Sequence, residues 1–287
     1  MREVVLIPSG GGEVVRDSPD GRVEILSEDE TLHATWSRFG PRREGADLHV
    51  HRHHSDLFYV LGGDLTLMLG RGGQETTVPV GTLVRVPPLV IHGFRNGSDA
   101  EVRYLNFHAP GTGFADFLRA LRDGRPRTYD QHSPPSDGGR PATDAVVGAE
   151  GFVANWAGLR VMLLADVQEI AFAEVWSDRG VASPEPHVHH RHVESFYVLE
   201  GEITFAAGNR KLHAEPGTWV QVPPGVPHTF TLPDNGPVRF LNAHTPSCGF
   251  GTFLRGLDDA RSDDEPAAVR ATFDQEPAPL WPAASAH

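Results

Sequence analysis

Two stretches of the chain are dense in histidine. His49-Val50-His51 is followed by Asp56 and, much later, by His92; His187-Val188-His189 is followed by Glu194 and later by His228. Residues i and i+2 of a strand face the same side, so each His-x-His pair sends both rings into one space. Three neutral imidazoles and one carboxylate are a donor set for a divalent transition metal, whether Fe, Mn, Ni, Co, Cu or Zn. Four ligands around an octahedral ion leave open positions for substrate, water or dioxygen. The spacing predicts two metal sites, one from His49, His51, Asp56 and His92 and one from His187, His189, Glu194 and His228. Asp56 is one methylene shorter than Glu194, so the first site needs a backbone adjustment or a bridging water. His53, His54, His190, His192 and His213 fit no such pattern and are expected in solvated turns. His108 and His244 recur in both halves and are expected behind the ligands or packed near a helix.

The two clusters belong to an internal repeat. HVHRHHSDLFYVLGGDLT from His49 aligns with HVHHRHVESFYVLEGEIT from His187, and GTLVRVPPLVIH from Gly81 aligns with GTWVQVPPGVPH from Gly217. YLNFHAPGTGFADFLRAL from Tyr104 aligns with FLNAHTPSCGFGTFLRGL from Phe240, and Thr128-Tyr129-Asp130-Gln131 is echoed by Thr272-Phe273-Asp274-Gln275. A duplicated domain follows. Short β-branched and aromatic runs punctuated by glycine, at 58–69, 76–86 and 100–107 and again at 196–206, 217–222 and 238–243, predict strands. Segments 113–122 and 249–257 predict one helix per copy, with Phe114, Phe117, Leu118 and Leu121 on one face as packing residues. The expected organisation is an N-terminal domain 1–130, a Pro/Gly/Ser-rich linker 131–150 and a C-terminal domain 151–287, with disorder over 282–287.

Composition narrows the chemistry. The net charge is −13, which repels phosphate backbones and argues against a nucleic-acid partner. Lys211 is the only lysine, and no glycine loop precedes it, so a Walker phosphate loop is excluded. Cys248 is the only cysteine, which excludes an intramolecular disulfide and a Cys-rich zinc site. The N-terminal apolar run ends at Pro8, too short for a signal peptide, and no run approaches a membrane span. A cytoplasmic protein with no membrane partner is the expectation.

The second copy carries both motifs of the cupins: His187-x-His189-x4-Glu194-x6-Gly201, then Gly217-x5-Pro223-x-Gly225-x2-His228. The first copy departs twice, with Asp56 for Glu and Leu89 for Gly, while Gly63, Gly81, Pro87 and His92 keep their places. The chain thus resembles the cupin superfamily over about 100 residues of each half, and its Gly-Phe-x-x-Phe-Leu endings are similar to those of quercetinase-like members. The resemblance implies an all-β bicupin: two tandem jelly-roll β-barrels with short terminal helices, one divalent metal in each, paired as an intramolecular pseudo-dimer within a monomer or homo-oligomer.

The function expected from ligand set and resemblance is a metal-dependent dioxygenase acting on a small phenolic, enol or 1,3-dicarbonyl substrate. Glu194 is the expected catalytic base as well as a ligand, because the second motif is complete. Phe196, Tyr197 and Trp219 are candidate apolar walls there. A non-oxidative lyase or isomerase, and a metal-bearing small-molecule binding protein, are the alternatives.

Overall fold

The computed structural model describes residues 3–148, 151–156, 159–177, 184–234, 236–260 and 272–281. The chain divides into two compact units, Gly12–Ala149 and a second comprising Met1–Gly11 with Glu150–His287. Among the described residues each is a pair of antiparallel sheets enclosing an apolar interior, with one α-helix. The expected disorder over 282–287 lies outside the described residues. No helix among the described residues is long and apolar enough to cross a membrane.

The first unit has a seven-stranded sheet in the order Val146–Val147, Leu83–Val86, Ser55–Gly62, Val102–Ala109, Leu32–Phe39, Gly21–Asp29, Glu13–Ser18. A four-stranded sheet runs Glu44–His49, His92–Arg95, Asp64–Leu69, Gln74–Pro79. Alternation along each strand sends Phe58 and Val60 of one sheet, and Leu65 and Leu67 of the other, into a shared core. Helix α1 (Phe114–Arg122) adds Ala115 and Leu118 to a smaller cluster with Val15 and Ile25.

The second unit repeats this plan. Its seven-stranded sheet runs Val5–Ile7, Trp219–Val222, Val193–Glu200, Val238–Thr245, Ile170–Ser177, Leu159–Val167, Phe152–Trp156. Its five-stranded sheet runs Arg210–Ala214, Ile203–Ala207, His228–Thr231, His187–Val188, Glu276–Pro277. Helix α2 (Phe250–Ala260) supplies Phe250, Phe253, Leu254 and Leu257 to one continuous core.

These boundaries differ from the expected 1–130, 131–150 and 151–287. Val5–Ile7 pairs with Trp219–Val222, which places the N-terminal strand in the second unit. The stretch expected as a linker satisfies its backbone on the first unit. His132 and Val50 exchange N–H···O bonds, Arg140 N–H donates to Leu89 O, and Val146–Val147 pairs with Leu83–Val86. A chain so paired is part of a barrel wall, because each bonded amide is lost to water if the segment lifts off.

The repeated turn glycines Gly63 and Gly201 have φ of +71° and +73°, and a Cβ there would strike the carbonyls of Glu101 and Pro237. Gly225 also lies in the left-handed region at φ +82°, and its counterpart Leu89 adopts the same conformation at φ +68°. Both donate N–H to the carbonyl of the second histidine of the pair, Leu89 to His51 and Gly225 to His189, each at 2.7 Å. The first barrel keeps the turn that precedes His92 at the expense of backbone strain.

Candidate metal centres

Strand register assembles each ligand set. His49 pairs with His92 across two strands of the smaller sheet, and His187 pairs with His228. Asp56 and Glu194 enter from the larger sheet, each paired with the last histidine of its neighbour, Asp56 with His108 and Glu194 with His244. His49, His51, Asp56 and His92 are all buried, and their donor atoms lie within 4.8 Å of one another; so do those of His187, His189, Glu194 and His228.

The outer nitrogen of every ligand ring is fixed. Nδ1 of His49, His51 and His92 donates to the carbonyls of Asp47, Asp130 and Val90. Nδ1 of His187, His189 and His228 donates to those of Glu185, Asp274 and Val226. A carbonyl only accepts, so each neutral ring carries its proton on Nδ1 and turns the Nε2 lone pair inward. In the first barrel His49 Nε2 then faces His51 Nε2 at 3.3 Å with no proton between them. In the second, His189 and His228 Nε2 face Glu194 Oε2 at 3.0 and 2.7 Å. Converging lone pairs around a carboxylate repel unless a cation lies among them, so both donor sets fit a divalent transition ion.

Charge states agree. Burial, then His92 and His51, lowers His49 to about 3. Burial, then His228, lowers His187 to about 3. Burial alone would raise Asp56 and Glu194. Protonated His108, His51 and His92, or His244, His189 and His228, would lower them by more than burial raises them; with those rings neutral, a bound cation is the positive charge that would keep both carboxylates ionised.

A series of close polar contacts backs each carboxylate. Asn106 Nδ2 donates to Asp56 Oδ1, and His108 Nε2 lies 3.1 Å from Asn106 Oδ1. His108 Nδ1 and His54 Nε2 are 2.9 Å apart, and His54 Nδ1 donates to Asp130 at 3.0 Å. The second barrel repeats this through Glu194, Asn242, His244, His192 and Asp274. His54 and His192 are each 1 % exposed, which corrects their assignment to solvated turns. Asp130 and Asp274 draw them inward, and the echoed Thr-Tyr/Phe-Asp-Gln segments were the available signal. Beside the histidines of these series the two barrels differ. Tyr129 OH lies 3.0 Å from His54 Nε2 and 2.8 Å from His108 Nδ1, whereas Phe273 replaces it in the second barrel.

The barrels also differ in the residues along their larger sheets. A cavity of about 350 Å³ in the first barrel is lined by His49, His51, Asp56 and His108. Thr35, Ser37, Tyr104, Phe94, Tyr129 and the α1 residues Phe114, Phe117, Leu118 and Leu121 form its other walls. The helix face expected only to pack is therefore also a cavity wall. In the register of the first barrel, Thr35 sits opposite Asn106 and Ser37 opposite Tyr104; in the second, Ala173 sits opposite Asn242 and Val175 opposite Phe240. Ala173, Val175, Phe240 and Phe273 belong to one apolar cluster with Phe196 and Phe205. Phe196, Tyr197 and Trp219, expected as candidate walls, are at most 5 % exposed.

The model of the Cupin domain matches residues 35–108 and 178–244. The chain is 24 % identical to quercetin 2,3-dioxygenase of Bacillus subtilis over 275 residues, spanning 80 % of this chain and 79 % of that protein. Among solved structures, the putative glyoxylate induced protein from Pseudomonas aeruginosa superposes with a TM-score of 0.60 at 17 % identity, covering 85 % of this chain and 89 % of that one. Oxalate decarboxylase of Lactobacillus farciminis, solved as a formate complex, superposes with a TM-score of 0.59 at 14 % identity, covering 84 % and 86 %. Both likenesses are of fold. With the motif twice present, two barrels of matching topology and two buried four-ligand clusters, the chain is a bicupin and belongs to the cupin superfamily.

Proposed function

We propose that the protein is a metal-dependent dioxygenase of a small phenolic, enol or 1,3-dicarbonyl compound, with turnover in the first barrel. The observation that carries this reading is the cavity bordered by His49, His51 and Asp56. The likeness to quercetin 2,3-dioxygenase supports the reaction class. In this reading His49, His51, Asp56 and His92 hold one ion, and His187, His189, Glu194 and His228 hold another. A bound divalent ion supplies Lewis acidity toward a substrate oxygen and a route for electrons to dioxygen.

The chain's own residues supply the rest. Asp56 is ionised and borders the cavity, so it accepts the proton of the substrate hydroxyl; Asn106 orients it by holding Oδ1. The sequence reading gave that role to Glu194. We propose Asp56 instead because a cavity borders it together with His49 and His51. Phe114, Phe117 and Leu118 exclude water from the bound substrate.

The test is oxygen uptake by metal-replete protein across a panel of phenols and 1,3-dicarbonyls, with Asp56→Asn and Glu194→Gln in parallel. Uptake lost in Asp56→Asn and largely kept in Glu194→Gln is the expected result. Turnover of the same panel without oxygen would assign a lyase or isomerase instead.

A further inference from the structure

Arg43 lines the first-barrel cavity, and its side chain is only 10 % exposed. One guanidinium nitrogen, Nη1, donates to Asp20, itself 62 % exposed. The guanidinium carbon lies 4.8 Å from the centre of the Phe39 ring, another wall of the cavity. Nε is buried and has no hydrogen-bond partner among the described residues. The position a Cβ on Gly21 would take lies 2.9 Å from Nε, so that nitrogen is covered by the chain itself. The planar, permanently charged guanidinium is a carboxylate partner through its terminal N–H groups.

The strand Leu32–Phe39 gives the span. Thr35 lies opposite Asn106, the residue that holds Asp56, and Phe39, under Arg43, lies four residues further along the same cavity-facing side. At about 3.3 Å per residue this is roughly 13 Å between backbone levels. Aromatic rings of Phe39, Phe94 and Tyr104 wall the intervening space. Its volume, about 350 Å³, equals that of about twelve waters and suits a single ring with substituents. The exposed Arg16, and Arg122 with its partners Glu13 and Asp123, also border the cavity; the exposed Glu44 is the opposing charge beside Arg43.

We infer that the first barrel takes a one-ring aromatic or cyclic enolic acid, its hydroxyl toward the His49–His51–Asp56 cluster and its carboxylate on Arg43. This rests on the proposed function for the hydroxyl end, and on Arg43 alone for the acid end.

The experiment is anaerobic calorimetric titration of metal-replete protein with 4-hydroxybenzoate and with its neutral analogue 4-hydroxybenzamide. Wild type is expected to bind the acid about tenfold more tightly, the scale of a hydrogen bond to a charged group. Arg43→Gln brings that ratio to near one, Arg43→Lys keeps part of it, and Asp20→Asn, which frees Nη1, raises it. A ratio near one in wild type, no binding of the acid at millimolar concentration, or a ratio unchanged in Arg43→Gln overturns the inference. If Arg43→Gln fails to fold, the wild-type ratio and the Asp20→Asn shift decide. Because no oxygen is present, an Arg43-dependent preference stands even if oxygen uptake is never found, in which case only the reaction class fails.

Discussion

Asp56 Oδ2 stands 3.3 Å from His92 Nε2, whereas Glu194 Oε2 stands 2.7 Å from His228 Nε2. The second imidazole repeats the difference, 3.6 Å from His51 against 3.0 Å from His189. The missing methylene of Asp56 thus appears as a wider cluster, with the backbone register of the two barrels preserved. We expect two metal equivalents per chain, with the first-barrel ion removed at the lower chelator concentration. Elemental analysis of wild type, Asp56→Asn and Glu194→Gln during stepwise chelation checks this; a first-barrel ion that outlasts the second contradicts the ranking.

Tyr129 and Phe273 occupy equivalent places, so exchanging them tests which barrel turns over substrate. Tyr129→Phe installs a residue the fold already accepts and removes one hydroxyl from His54 and His108. Stability should fall by about 0.5–1.5 kcal/mol, the worth of one hydrogen bond, with metal content unchanged. Activity should drop by about tenfold, corresponding to about 1.4 kcal/mol. Phe273→Tyr should leave activity as it was. Steady-state rates and calorimetry on the two variants give the answer, and the opposite pattern would move turnover to the second barrel.

Leu121 of α1 borders the cavity while 61 % exposed. Leu121→Trp should obstruct substrate without disturbing the core. We expect a raised KM, unchanged metal content and a stability change within about 0.5 kcal/mol, as for surface substitutions generally. An unchanged KM would show that substrate does not pass this residue.

His33 accepts the N–H of Ala115 at the start of α1 through Nδ1, at 3.1 Å. Burial lowers its pKa in the folded chain. The unfolded chain therefore binds the proton more readily. The stability His33 contributes is present above the unfolded value of about 6.5 and is lost as the pH falls below it. Thermal unfolding of metal-free protein between pH 8 and pH 5 should show a falling Tm, with a shallower slope in His33→Asn. Equal slopes would remove His33 from the account.

Leu89 at φ +68° holds a conformation that costs an L-residue about 1–2 kcal/mol. Leu89→Gly relieves it but gives back part of the gain through the freer unfolded chain. A net stabilisation of about 0.5–1 kcal/mol is expected, measurable as a shift in denaturant midpoint. Destabilisation would mean that the Leu89 side chain, 40 % exposed, is worth more than the strain.

Both ligand sets were readable because period-two spacing and turn glycines are local signals, and the duplication repeated each of them. What escaped was set by pairing at long range. Nothing near His54 or His192 announces burial; the partners Asp130 and Asp274 arrive more than seventy residues later. Ser37 and Val175, a polar and an apolar residue at one equivalent wall position, sit where the copies have diverged, and only the register to Tyr104 and Phe240 aligns them. Arg43 lies in a polar run that reads as an ordinary turn. The completeness of the second motif speaks to how well an ion is held, and the space beside the ion depends on other residues.

The pairing of Val5–Ile7 with Trp219–Val222 bears on how the protein can be divided. A fragment starting at residue 150 lacks that strand and exposes a row of unpaired amides on Trp219–Val222, an invitation to edge-to-edge aggregation. A fragment ending at residue 130 strips the first barrel of Val146–Val147 and of the amides that bind Val50 and Leu89. The genetic unit of each barrel is not the sequence repeat: the first is residues 12–149, and the second is encoded in two separated pieces. Dissection of the two metal centres therefore calls for ligand substitutions in the whole chain, or for a second half preceded by a grafted copy of residues 3–11.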